Sequence, residues 1–497
     1  MKGEGGSKMN VMQLLEKNQQ VHFQILAVFF QNGSEISYKK LAKTLSISAP
    51  TLQKELQNLH QNLVAFHEDA TLTYLENDQV QLTLPLDFSL KKFFYSYLSE
   101  AIDFQILSYL FFHRDESTTK MMLELMLSEA SLFRRFKAIN QLLKEFDIQL
   151  KNKKLIGDEK QIRFFYYQFF SQSYPNEELI TRLNAPAINN LIRVIEKQLQ
   201  TTFSQAERWK VGLWLGIMEA RFDYRGSQQH EASYHLLKSL ENEAMFQILR
   251  NILGRYLSRF AVSWSDYETV YFYLFLLAEG LIGPSEEGLS QKSLFFREIE
   301  ALNEELLQAI GDSERKSAET SVELGVFLTS VTIQALYIHG GIIAFAEFQP
   351  QSVANESLIV VAQQAIEQLE KNVNQSFSLE KKQHLTNELL LIRQWIQVKQ
   401  EKAFTVGILL TQSRLRSGFL RRFLIKELAG YPNIHFDGTK EKDYDLLIVD
   451  HSEISEGYRY KKRLILTGGA TPFEEERLHQ IVDEIRNENL ESELEKI

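Results

Sequence analysis

Ser117–Lys154 reads STTKMMLELMLSEASLFRRFKAINQLLKEFDIQLKNKK. Apolar residues recur at helical spacing twice within it. Met122, Leu125 and Met126 fall on one side of a helix expected over Thr118–Leu127. Leu132, Phe136, Ile139, Leu142 and Leu143 do the same for a second helix over Ser131–Phe146, with Ser128-Glu129-Ala130 as the polar break between them. The other face of the second helix carries Arg134, Arg135 and Lys137, and Ile148–Ile156 reads as two short strands about Lys151-Asn152-Lys153, a basic wing. A helix, a short turn, a cationic second helix and a wing is the layout of a winged helix-turn-helix, whose second helix enters the major groove of duplex DNA. Between Ser131 and Lys154 seven Lys/Arg stand against two acids, a local balance of +5 in a chain of net charge −10. Phosphate binding needs such a local footprint, not a basic protein. The competing reading of this stretch alone is a solvated amphipathic helix that is merely basic.

Upstream the same order recurs in a sharper form, LAKTLSISAPTLQKELQNL over Leu41–Leu59. Met9–Asn32 reads as one amphipathic helix, and Ser37–Leu45 as a second with an N-cap serine. Ser46-Ile47-Ser48 is the break, and Ala49–Asn62 is a third helix with Pro50 in its first turn. Leu41, Leu45, Ile47, Leu52, Leu56 and Leu59 close a three-helix core. Ser48, Thr51, Gln53 and Lys54 are left facing outward, where they can donate to base edges or phosphates. Ala70–Leu84 alternates as a hairpin about Glu76-Asn77-Asp78, a wing with an acidic tip. Leu90–Phe112 is one long apolar helix that opens the second module. Two signals of the same order favour DNA binding over a helix-turn-helix used only for protein contacts.

The remaining chain is long enough for several domains: 497 residues, 44% apolar. It has no cysteine, which excludes disulfides, Cys-ligated zinc and a thiol nucleophile. The first residues, MKGEGGSK, read as a flexible tail without the apolar core of a signal peptide. Gly157–Pro175, dense in aromatics, reads as a connecting helix packed into the next domain, with a base-stacking platform as the alternative. Asn176–Lys402 is helix after helix, divided into two halves near Ile282. It contains no Gly-rich phosphate loop, metal-spaced His/Glu set or nucleophile motif. Leu324–Ala346 carries no charged side chain and is long enough to span a bilayer, about 20 residues. Its Thr, Ser, Gln and His339 side chains and Gly340-Gly341 favour a buried bundle helix instead. From Ala403 the pattern turns to strands at Phe404–Leu410, Ile434–Phe436, Tyr444–Asp450 and Arg463–Thr467, with helices at Ser417–Leu428 and Phe473–Arg486. That order predicts a small parallel α/β sheet with helices on both faces. Its first loop, Thr411–Ser417, lies at a strand end where anions bind, but has no glycine before Gly418.

The fold class expected is therefore multidomain and mainly α: a flexible tail (1–9), winged helix-turn-helix modules (10–87 and 88–170), two all-α domains (171–283 and 284–402) and a small α/β domain (403–497). This order resembles the Mga/AtxA family of virulence regulators of Gram-positive bacteria over essentially the whole chain. Its most specific parts are SEASLFRRFKAINQLLKEFDIQL (Ser128–Leu150) and LIGDEKQIRFFYYQFF (Leu155–Phe170). The resemblance implies a cytoplasmic, DNA-binding transcriptional regulator that self-associates as a homodimer or higher oligomer. It implies PTS-regulation (PRD) character for the two helical domains, similarity of the last domain to an EIIB component, and a phosphocarrier protein as a partner. Two departures matter. An EIIB enzyme is phosphorylated on cysteine just after its first strand, where this chain has Leu410-Thr411. The helices WKVGLWLGIMEAR (Trp209–Arg221) and SDYETVYFYLFLLAEGL (Ser265–Leu281) lack the phosphorylatable histidines of such domains, leaving His230, His235 and His339 as candidates.

The residues expected to face double-stranded DNA are Ser48, Thr51, Gln53 and Lys54 from the first module and Arg134, Arg135, Lys137, Lys151 and Lys153 from the second. No enzyme activity, cofactor, metal or membrane association is expected. The rival functions are an RNA-binding antiterminator and a phosphotransfer component.

Overall fold

The computed structural model describes residues 9–75, 78–113, 116–175, 179, 183, 185–221, 231–260, 265–283, 293–310, 318–343, 356–400, 404–431, 434–440, 442–466 and 471–494. Of the tail expected at 1–9, residues 1–8 lie outside these residues, and Met9 is instead the first residue of a strand. Met1–Ile392 pack as one compact unit and Arg393–Ile497 as a second.

The first unit begins with β1 (Met9–Asn10) and a 3-10 turn at Val11–Leu14, so the single helix expected from Met9 starts only at α1 (Lys17–Asn32). A capping box explains the start: the Glu16 backbone N–H donates to Gln19 Oε1 at 3.1 Å, and the Glu16 side chain answers at the third helical position. The chain continues through β2 (Glu35–Ser37), α2 (Tyr38–Leu45), α3 (Ala49–Phe66), β3 (Thr71–Leu75) and β4 (Gln79–Thr83). The strands form an antiparallel sheet in the order β2-β4-β3, with Ser37 opposite Gln79 and Tyr74 opposite Val80. Ser37 sits at the N-cap of α2 but makes no side-chain cap bond; its role is in the sheet. Leu41, Leu52, Leu56, Leu59 and Leu63 close the core with Phe23, Leu26 and Phe29 of α1. This is a winged helix.

The helix expected over Leu90–Phe112 is two: α4 (Leu90–Leu98) and α5 (Ile102–Phe112), parted by extended backbone at Ala101. The two halves serve different cores. Phe93, Phe94 and Tyr97 of α4 ring Phe23 of the first head at 5.9, 4.7 and 5.0 Å. Phe104 and Phe111 of α5 meet Phe169 and Phe170 downstream at 5.2 and 4.8 Å. Then follow α6 (Thr118–Glu124), α7 (Glu129–Leu143), a 3-10 turn at Lys144–Phe146, β5 (Gln149–Lys151) and β6 (Lys154–Ile156). The break between α6 and α7 therefore lies at 125–128, earlier than the sequence suggested. Asn152 and Lys153 both have positive φ, 48° and 59°, as a tight two-residue hairpin turn requires.

The aromatic run is α8 (Glu159–Ser173). Phe164, Phe165, Tyr166, Tyr167, Phe169 and Phe170 are all buried, so α8 offers these rings to the core and not to bases. Arg163 is fully buried with them. Its Nε donates to Glu159 Oε1 (2.9 Å) and its Nη2 to Glu268 Oε1 (2.9 Å), while Arg221 donates to both Glu159 oxygens at 2.8 and 2.9 Å. Burial alone would raise the Glu159 pKa, but Arg221 and Arg163 outweigh it and hold the carboxyl below its usual range. Two cations and two carboxylates thus tie α8 to the helices Gln205–Arg221 and Tyr267–Ala278.

The other helices of this unit are Ala185–Leu199, Glu231–Leu240, Ala244–Leu257, Leu294–Ala309, Ala318–Tyr337, Glu356–Asn372 and Leu379–Gln400, the last running across the division between units. The helix expected over 232–260 is two, and the apolar segment expected as one helix from Leu324 to Ala346 ends its helix at Tyr337. Beyond it β7 (Ile342–Ile343) pairs in parallel with β1, Met9 opposite Ile342. No described helix is long and apolar enough to cross a membrane.

In the second unit β8 (Phe404–Leu409), β9 (Ile434–Asp437), β10 (Asp443–Val449) and β11 (Arg459–Ile465) form an all-parallel sheet in the order β11-β10-β8-β9. Helices span Arg414–Leu428 and Pro472–Leu494. Leu420, Leu424 and Leu428 of one and Leu478, Val482 and Ile485 of the other share one apolar cluster with Val406, Ile408, Leu446 and Ile448. The helices therefore do not flank the sheet as expected. A separate cluster of Tyr444, Leu447 and Val449 is covered by Ile454 and Tyr458, from the chain that links β10 to β11.

Candidate nucleic-acid interface

The two heads carry one turn twice. Ser46 and Met126, 80 positions apart, are both left-handed at φ 54° and 52°. Ser46 N–H donates to Lys43 O and Met126 N–H to Leu123 O; Ile47 and Leu127 likewise reach Ala42 O and Met122 O. Ser48 and Ser128 then cap α3 and α7, accepting from the N–H groups of Thr51 (3.4 Å) and Ser131 (3.3 Å). Leu41, Leu52, Leu56 and Leu59 are buried in the first head; Met121, Leu132, Phe136 and Ile139 are buried at the matching positions of the second. A left-handed residue followed two positions later by a capping serine thus precedes each of these helices, α3 and α7. Met126, expected on the apolar side of the first helix, is 92% exposed because it occupies this turn; Met121 fills the core.

The outward stripe of α3 holds Pro50, Gln53, Lys54 and Gln57; that of α7 holds Ala130, Phe133, Arg134 and Lys137. All eight are exposed, as are Ser48 and Thr51, whose hydroxyls bond each other at 2.8 Å. Lys151 is exposed on the second wing.

Two expected contacts are otherwise engaged. Arg135 turns back into the head, donating to Glu16 at 2.7 Å and Asp103 at 3.4 Å. Lys153 folds over the hairpin and donates to the Glu116 carbonyl. Position separates them from their neighbours: Arg135 is half-buried within reach of Glu16 and Asp103, and Lys153, at the hairpin turn, reaches the Glu116 carbonyl that precedes α6. The residues brought together on one outward face of the second head are thus Arg134 and Lys137.

Residues 5–82 and 86–170 match the Mga helix-turn-helix domain, one match per head. Both heads are therefore similar to the Mga helix-turn-helix domain. It is 23% identical over 166 residues to a Streptococcus pneumoniae protein that bears the name of a trans-acting regulator. It is 22% and 21% identical to the capsule synthesis positive regulators AcpA and AcpB of Bacillus anthracis. The matches cover 32% of this chain and 32% of the first relative, and 42% of this chain and 43% of each of the others.

Within this Mga-type pair the heads differ in their buried polar pairs. In the first, Glu55 of α3 faces inward and bonds His22 Nε2 at 3.1 Å, while His22 Nδ1 meets the Tyr97 hydroxyl at 3.0 Å. Burial lowers the His22 pKa and Glu55 only partly opposes this, so the ring is held neutral between its two partners. Position 135 replaces this acid with a cation, and Asp103 of α5 supplies the acid. Burial raises the Asp103 pKa against the opposing pull of Arg135, and Asp103 Oδ1 finds no donor among the described residues. Composition carried no signal of either pair; only the packing of α1 on α3 and of α5 on α7 creates them.

Of the candidate histidines, His230 lies outside the described residues. His235 is exposed on the helix Glu231–Leu240, beside Tyr234. His339 follows the helix that ends at Tyr337; its N–H donates to Gln161 Oε1 at 3.1 Å, and burial, with Lys381 and Lys160, lowers its pKa. In the second unit a carboxylate already takes the first donors of the loop considered for anions: Thr411 N–H and Oγ1 donate to Asp450 Oδ2 at 2.8 and 3.0 Å. Glu427, Glu475 and His479 place ligand atoms within 4.8 Å of one another there.

Proposed function

We propose that this chain is a cytoplasmic transcriptional regulator that binds duplex DNA through both winged heads, the second supplying most of the phosphate contacts. The observation that carries this reading is the doubled turn, which presents the start of each reader helix to solvent with a polar or cationic outward stripe. Exposed helix N-termini and Arg/Lys side chains are what bind phosphate and base edges. The helical region at 171–402 is assigned PRD-like regulatory domains and 403–497 an EIIB-like domain that serves assembly or sensing, since no cysteine is present to carry phosphate. Self-association would place two pairs of heads on one site and multiply weak contacts. A phosphocarrier protein is the proposed partner, with His235 the surface histidine at which phosphate transfer is to be tested.

The decisive experiment compares duplex DNA from the regulator's own promoter region with structured RNA in a competition binding assay at fixed salt. Duplex should win, and Arg134→Ala with Lys137→Ala should weaken it. Preference for the RNA, or indifference to the double substitution, would remove this reading.

A further inference from the structure

The two heads differ in one direction at three surface positions. Lys43, Ser46 and Gln53 of the first are exposed and polar. Leu123, Met126 and Phe133, each 80 residues on, are exposed and apolar, at 74%, 92% and 55%. The core positions Leu41, Leu52, Leu56 and Leu59 and their counterparts Met121, Leu132, Phe136 and Ile139 are apolar in both heads, so at these three positions the change is one of surface.

Phe133 is the most informative of the three because it lies on the reader helix. It shares its outward stripe with Arg134 and with Lys137 one turn on, at the spacing that places side chains on one face. Its ring meets the buried Phe136 ring edge-on, with centroids 6.0 Å apart. That contact steadies the base of the ring and leaves the rest in water. In the major groove the one apolar group on a base edge is the C5-methyl of thymine. Arg134 and Lys137, both on the C-terminal side of Phe133, are suited to the flanking phosphates; the nearest acid is the exposed Glu129, one turn before Phe133.

We propose that Phe133 is a specificity-determining residue of the second head, packing on the methyl group of a thymine in the major groove. The first head, with Gln53 at the matching position, lacks this preference and offers an amide able to pair with adenine instead. The inference rests on the duplex-binding reading above.

The test removes the methyl without touching the protein. Full-length chain selects duplexes from a randomised pool, and each thymine of the recovered sequence is replaced in turn by deoxyuridine. One or two replacements should weaken wild-type binding roughly fourfold, the value of one buried methyl. Phe133→Ala should weaken the thymine duplex by a similar factor and no longer distinguish uracil, while Phe133→Leu should keep part of the discrimination. Wild-type protein indifferent to every replacement, or an alanine variant that still discriminates, overturns the assignment and leaves duplex binding standing. Loss of self-association by Phe133→Ala with discrimination intact also overturns it, since the ring would then belong to a protein interface. A pool from which nothing is enriched removes the duplex-binding reading itself, and this inference with it.

Discussion

The two winged heads share a turn, a cap and a core, yet they invert one another in polarity. At matching positions the first has Glu55 inside and Gln53, Lys54 and Gln57 outside; the second has Arg135 inside and Phe133, Arg134 and Lys137 outside. The cation at 135 is held by Glu16 and Asp103. The lesson is that local charge does not report availability. Three cations cluster at the start of α7, and packing withdraws one of them. The heads also differ in attachment. The second runs directly into α8, whose Arg163 is locked among carboxylates; the first is held through the aromatic cluster of α4 and through β1 on β7.

The largest effect should come from that attachment. Arg163→Ala leaves Glu268 buried without its partner, and loss of one member of a buried ion pair costs about 3–5 kcal/mol. Urea unfolding of the full chain followed by tryptophan fluorescence should show it, Trp214 lying in the same core. A loss below 1 kcal/mol, on the order of an exposed pair, would mean that α8 is not the anchor.

Next comes the contrast in phosphate contacts. Arg134→Ala with Lys137→Ala should reduce the slope of log affinity against log salt by about 1.8, and Lys54→Ala by about 0.9. Equal reductions from the two heads would erase the asymmetry. Arg135→Ala should behave differently from Arg134→Ala: it strands the buried Asp103 at a cost of about 1–3 kcal/mol and leaves the salt slope unchanged. A changed slope with unchanged stability would return Arg135 to the DNA-facing set.

The smallest effects are in pH. The folded His22 pKa lies below its unfolded value of 6.5, so just below pH 6.5 the unfolded chain binds more protons. Stability contributed by His22 is therefore present above pH 6.5 and lost as pH falls toward the folded value. Asp103 has the opposite sense: its folded pKa lies above 3.8, so the folded chain binds more protons and stability declines as pH rises through that window. His22→Gln should flatten the dependence just below pH 6.5 without altering the acid limb. An unchanged profile there would show that His22 is not the titrating group.

Much of the fold was legible because it rests on local rules. Serines 80 residues apart, leucines at helical spacing and an alternating hairpin need only their neighbours to be read, and the doubled pattern located both reader helices. Errors arose where a helix was ended by contacts distant in sequence. Leu90–Phe112 is continuous in its apolar character, and nothing local announces that Phe93 belongs to Phe23 while Phe104 belongs to Phe169. The sheet of the second unit was legible strand by strand, but which face each helix covers depends on how the connections cross, which periodicity does not encode.

By itself, then, the sequence determined two capped helix pairs, their wings and the basic character of the second reader, because turns, caps and amphipathic periods are set by residues within one or two turns of each other. Tertiary structure alone decided which charges face outward. Arg135 and Arg134 are adjacent and chemically identical, and only Glu16, at the start of α1, and Asp103 of α5 separate the cation drawn into the head from the one left on the outward face.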